Sequence, residues 1–294
     1  MNSEITLTEF QAEEIRSFVS KKRRELGVIE EIPIANDIFN ILENTNIVLI
    51  EFPIKSESNS PGFSALTYFN SDEDLVFIGV NTADYFDKQI FAIAHELYHY
   101  YTKKDSHITR IIEIETDLVE FQANRFAAEF LLPEKTLASL IFRGFQTSSL
   151  ENMQIKTVLR FIARLQCTWW LPYRSLVKRL SEAGAISMEQ YKILYDINER
   201  DLDGDYGRIG RATNEEIFIK LNTKTNKIGI SPKEIDSIIR NFEDGIISDE
   251  ELAKTLNLFN IKPEDFGIRV GVTEEDEIEF EKYFNEGKNI ASKN

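Results

Sequence analysis

Apolar residues recur at helical spacing over 7–26, where Gly27 supplies a stop, and again over 34–43. The pattern then changes. Runs rich in β-branched and aromatic residues at 46–52, 63–69 and 75–80 predict strands, the last two joined as a hairpin around Asn70-Ser-Asp-Glu-Asp74. Helical spacing returns with Ile90, Phe91, Ile93, Ala94, Leu97, Tyr98 and Tyr101, and Thr82 to Asp84 offers N-cap candidates for that helix. A long helix is predicted over 113–131, ending before Pro133. Further helices follow near 134–142, 155–166, 173–183 and 188–198, the last opened by the capping box Ser187-Met-Glu-Gln190.

Residues 198–208 are polar and read as a linker. Beyond it, 216–221 and 227–230 suggest a small hairpin, and capping boxes at Ser231-Pro-Lys-Glu234 and Ser248-Asp-Glu-Glu251 open two helices. The pattern predicts an α+β protein. Its first domain, 1–200, has a small antiparallel sheet and a mostly helical remainder, and a small α+β domain of unknown role spans 205–294.

Composition narrows the class. A chain of 294 residues with 42% apolar content can bury a large core. Its single cysteine, Cys167, excludes an internal disulfide framework, suits a reducing compartment and lies among apolar neighbours as a core thiol would. The N-terminus lacks the basic start and apolar stretch of a signal peptide, and no uncharged run is long enough to span a membrane, so a soluble, cytoplasmic protein is expected. A net charge of −16 argues against nucleic acid as a partner. The one dense basic run, Lys21-Lys-Arg-Arg24, falls at a helix C-terminus and complements its dipole, while the acidic run 274–281 behind Thr273 reads as a helix start.

The chemistry concentrates in His95-Glu96-Leu97-Tyr98-His99. Histidines at i and i+4 stand one turn apart on one helix face, where both imidazoles reach a single metal ion. The intervening Glu96 lies beside the open coordination position, as the general base of a zinc metalloprotease does. Only three histidines occur in the chain, so the third ligand should be a carboxylate. Glu113, Glu115, Asp117, Glu120 and Glu129 are the choices. Spacing ranks Glu120 first, because small residues at Ala123 and Ala127 permit close helix approach and Asn124 at i+4 can support the site by a hydrogen bond.

Three segments together resemble the ImmA/IrrE family of zinc metallo-endopeptidases: 77–82, 91–99, and Glu120-Phe-Gln-Ala-Asn-Arg-Phe-Ala-Ala-Glu-Phe-Leu-Leu-Pro133. The resemblance covers roughly 30–185. It implies a zincin-like (gluzincin-like) fold, with Zn²⁺ held by His95, His99 and Glu120 and with Glu96 as the catalytic residue. It also implies a protein substrate, a cytosolic DNA-binding repressor or antitoxin encoded nearby, cleaved in a regulatory or stress-response switch. A non-catalytic regulator or toxin–antitoxin component using the same fold is the alternative. Tyr98 departs from the family, where glycine is common, and narrows the space near the metal. For oxyanion stabilisation Tyr98, Tyr100, Tyr101, His107 and Arg125 are all chemically able, and the sequence does not choose. The hairpin strand before the metal helix offers an edge for an extended substrate.

Two other patterns carry less. Asp201-Leu-Asp-Gly-Asp205 is similar to a calcium loop, but the glycine is misplaced and position 12 is Ala212. Residues 161–180 form a helix–turn–helix pattern, yet Trp169, Trp170, Leu176, Val177 and Leu180 suit packing against the protease core better than DNA reading.

Overall fold

Thr8 starts the first helix, α1 (Glu9–Glu25), with a reciprocal capping box to Gln11, and Gly27 ends it in the left-handed conformation at φ 73°. The computed structural model describes residues 7–45, 47–55, 63–70, 75–102, 108–110, 118–269 and Ile278. The chain divides into two compact units, Met1–Ile228 and Gly229–Asn294.

In the first unit a short α2 (Ile38–Asn44) leads to β1 (Ile47–Phe52), followed by β2 (Phe63–Asn70), β3 (Leu75–Asn81) and, later, β4 (Ile108–Arg110). The spatial order in this unit is β4-β2-β3-β1. The antiparallel arrangement expected from the hairpin holds for β2 with β3 and for β2 with β4. β1 and β3 run parallel, because two successive reversals of the chain restore its direction, so the sheet is mixed. Residues 71–74, expected as the hairpin turn, lie outside the described residues.

One face of the sheet carries α3 (Phe86–Thr102), and α4 (Leu118–Leu131) packs on α3. Ile90, Ile93, Ala94 and Leu97 of α3 and Ala123, Phe126, Ala127 and Phe130 of α4 have no exposed surface. The small residues at 123 and 127 let the two helices come close. α1 covers α4 through Phe18, whose ring packs on Phe126 and Tyr98. Arg23 is buried under this layer and donates to the carbonyls of Phe130, Ile29 and Ile32 at 2.5, 2.8 and 2.6 Å. Burial pulls its guanidinium down to about 10. The basic run read as a dipole complement thus contains a clamp that ties α1 to α4.

The start of α3 is not capped by Thr82 to Asp84. The carbonyl of Tyr85 accepts the amides of Lys88 and Gln89, while the Thr82 hydroxyl goes to Lys227 O and Asp84 takes Ser64. Asp87 in the first turn is buried, and its carboxylate accepts from Arg200 and Gln166, each at 3.0 Å. That carboxylate complements the helix N-terminus and anchors α3 to α6.

The helical remainder comprises α5 (Glu134–Phe145), α6 (Ile155–Trp169), α7 (Tyr173–Glu182), α8 (Met188–Tyr195) and α9 (Asp205–Leu221). Trp169 and Trp170 are buried in the α6–α7 turn, and Leu176, Val177 and Leu180 are wholly buried, as the packing reading of 161–180 requires. The stretch 216–221 is the second half of α9, not a hairpin strand. Asn214 breaks the helix with an extended backbone (φ −161°), and its side chain then accepts the Ile217 amide to cap the continuation. α9 packs on α6, so the boundary between the units falls after Ile228 and not in the polar stretch 198–208. In the second unit, the two residues of β5 (Gly229–Ile230) precede α10 (Pro232–Glu243) and α11 (Asp249–Asn257). Ser248 caps α11 by the expected box, whereas Ser231 makes no side-chain cap. The acidic run 274–281 lies outside the described residues apart from Ile278. No described helix is long and apolar enough to cross a membrane.

Candidate metal centre

Helical spacing places His95 and His99 on the face of α3 that meets α4, with 4% and 1% exposure. Their Nε2 atoms stand 3.3 Å apart. Glu120, in the first turn of α4, reaches both: Oε2 lies 3.1 Å from His95 Nε2 and Oε1 3.4 Å from His99 Nε2. Among the described residues this is the one group of His, Cys, Asp or Glu side chains that converges closely enough to hold a metal ion.

The donor set fits a divalent cation of the zinc type. Ligand atoms on a tetrahedron at about 2.0–2.1 Å from the metal are about 3.3–3.4 Å from one another. The two Nε2 atoms, 3.3 Å apart, match one such edge, and the Glu120 carboxylate lies within 3.1–3.4 Å of them through its two oxygens, Oε2 toward His95 and Oε1 toward His99. Two nitrogens and one carboxylate oxygen are also the ligand types that zinc takes in sites with an open position. His95 Nδ1 is 3.1 Å from Asn124 Oδ1. An amide oxygen only accepts, so Nδ1 carries the proton and Nε2 keeps its lone pair for the centre of the group.

The electrostatics are those of a cation site. Burial pulls the His95 imidazole down, but the hydrogen bond to Glu120 and the charge of Glu96 outweigh it and leave the group raised. Burial pushes Glu120 up, and hydrogen bonds and charge from His95 and His99 hold it far below the ordinary carboxylate range. Glu120 therefore stays ionised, and a proton and a metal ion are alternatives for the pull at His95 Nε2.

Glu96, between the histidines, is fully buried. Its Oε2 accepts the hydroxyl of Thr67 on β2 at 2.7 Å. Thr67 was not among the residues expected at the site. Its signal was a hydroxyl at a buried, alternating strand position, which the strand pattern alone explains as packing.

The remaining described candidates fall elsewhere. Glu129 is buried against Arg179 at 2.7 Å and is not a ligand. Glu113, Glu115, Asp117 and His107 lie outside the described residues. Arg125 is engaged by Glu134 and Glu182, and the Tyr100 hydroxyl goes to Thr45 O. Tyr98, the departure from the family pattern, packs on Phe126 and donates to Gln122 at 2.9 Å. Tyr101 is packed against Phe18 and Phe126. Burial pushes the Cys167 thiol up to about 11, as for an unreactive core cysteine.

Residues 43–181 match the family model described as the IrrE N-terminal-like domain, Peptidase_M78. The match contains α3, α4 and every residue of the centre. No curated protein matches the chain.

Proposed function

We propose, on the premise that residues 43–181 belong to the IrrE N-terminal-like peptidase family, that the protein is a zinc-dependent endopeptidase. The observation that carries this reading is the triangle of His95, His99 and Glu120 with Glu96 one residue from the first ligand. His95 Nε2, His99 Nε2 and Glu120 would hold Zn²⁺, with Asn124 fixing the His95 tautomer. Zinc, when bound there, supplies Lewis acidity toward a scissile carbonyl and makes water easier to deprotonate. Glu96 accepts the proton of the attacking water and delivers it to the leaving amine. The burial of His95, Glu96 and His99 keeps bulk water from competing for these groups.

The substrate class we propose is a DNA-binding repressor or antitoxin, encoded beside this protein and cleaved in the cytoplasm at one or few sites. Support comes from the family resemblance and from charge: a chain at −16 attracts a basic DNA-binding protein and speeds the encounter at low salt. The test is co-incubation with the product of the adjacent regulator gene, with and without a chelator. Chelator-sensitive cleavage supports the proposal. An intact partner beside efficient digestion of unrelated unfolded proteins would point to a housekeeping peptidase. Stable binding without any hydrolysis would point to a non-catalytic regulator.

A further inference from the structure

β2 alternates, with Ala65 and Thr67 buried on the α3 side at 1% and 2% exposure and Tyr68 turned out at 53%. Position 67 faces a helix across a packed layer, where valine would have the same shape and a similar preference for a strand. The hydroxyl in its place has one close side-chain acceptor, Glu96 Oε2 at 2.7 Å, and reaches the Glu96 carbonyl only at 3.5 Å. The shorter distance is that of a well-formed O–H···O hydrogen bond.

We infer that Thr67 is a positioning residue that holds the Glu96 carboxylate in its proton-accepting orientation. The inference rests on the peptidase reading above. Glutamate has three side-chain torsions, and a general base works only when its oxygen lies within hydrogen-bond reach of the proton it takes. Thr67 is a rigid support for it. Its backbone is registered opposite Ile78 in the centre of the β2–β3 pair, and its branched side chain is stiff about the first torsion. The sheet thus sets the position of the base, while α3 and α4 set the positions of the ligands. The Thr67 hydroxyl bonds to Glu96 and not to a candidate ligand, so its loss should leave metal binding intact.

The test compares wild type with Thr67→Val and Thr67→Ser, each loaded with zinc. Zinc content, thermal midpoint and single-turnover cleavage of the adjacent regulator are measured, together with the substrate concentration that half-saturates cleavage. Thr67→Val is expected to keep one zinc and the same half-saturation, with the maximal rate down about 10–100-fold. Thr67→Ser, which restores the hydroxyl, is expected to recover most of that rate. A thermal double-mutant cycle of Thr67→Val with Glu96→Ala should also show coupling between the two side chains. An unchanged maximal rate in Thr67→Val, or a loss that Thr67→Ser does not recover, overturns the inference and leaves the peptidase reading standing. Coupling in the cycle beside a wild type that cleaves nothing sinks the peptidase reading, reduces the pair to a structural contact and overturns the inference with it.

Discussion

Glu120 and Asn124, one turn apart on α4, grip the same imidazole from opposite sides: Glu120 Oε2 is 3.1 Å from His95 Nε2, and Asn124 Oδ1 is 3.1 Å from His95 Nδ1. One helix face therefore provides both a ligand and the group that orients a ligand on the neighbouring helix. Asn124→Ala should lower zinc affinity about 10–100-fold while the thermal midpoint of the metal-free protein stays near wild type. Competition against a chromophoric chelator reads the affinity. An unchanged value would mean that helix packing alone holds His95.

Binding and chemistry should separate at neighbouring residues. Glu96→Gln is expected to keep zinc and fold and to lose cleavage by orders of magnitude, because the amide cannot accept the proton. Glu120→Gln is expected to weaken zinc as well. Retention of metal at wild-type affinity in Glu120→Gln, with loss in variants at Glu113 or Asp117, would move the third ligand out of α4.

Much of this centre was legible in the sequence because its geometry is local. Helical periodicity alone brings His95 and His99 to one face, and one more helix with alanines at 123 and 127 sufficed to rank Glu120 and Asn124. Thr67 was not legible, since its partner lies 29 residues away and across a strand–helix interface. Arg23 looked like one more cation at a helix end. Its acceptors come from the 29–32 turn and from Phe130, which only the tertiary fold assembles. The run Glu216-Ile-Phe-Ile-Lys-Leu221 is rich in β-branched and aromatic residues like a strand, yet it folds as helix, and Phe218 packs where a side chain on Gly210 would stand. Residue 210 has to be glycine for that packing, and this constraint has no signature in a strand or helix period.

The Arg23 clamp predicts a stability effect without a direct effect on chemistry. Arg23→Ala would leave the buried Phe130 carbonyl and the part-buried carbonyls of Ile29 and Ile32 without their donor and open a cavity where the buried guanidinium stood, for a cost of about 3 kcal/mol. Denaturant unfolding of the zinc-free protein measures it. A loss under about 1 kcal/mol would show that water takes over these acceptors.

Glu134 predicts the acid limb of stability away from the metal. Burial pushes its carboxyl up, but the charges of Arg125, Arg16 and Arg179 hold it below its ordinary value of 4.5. A carboxyl lowered in the folded state contributes stability that is present above the unfolded value and lost as pH falls through the folded one. Wild type should therefore lose stability relative to Glu134→Gln only below about pH 4.5, and the gap between them should be constant above about pH 6. A gap that instead opens between pH 6 and 8 would assign the effect to another group.

The metal content of the purified, reconstituted protein bears most directly on the centre. Elemental analysis should find about one zinc per chain in wild type and almost none in His95→Ala, with both proteins folded. Equal, near-zero zinc in the two proteins after reconstitution, or one equivalent retained by His95→Ala, would contradict a metal centre at His95, His99 and Glu120.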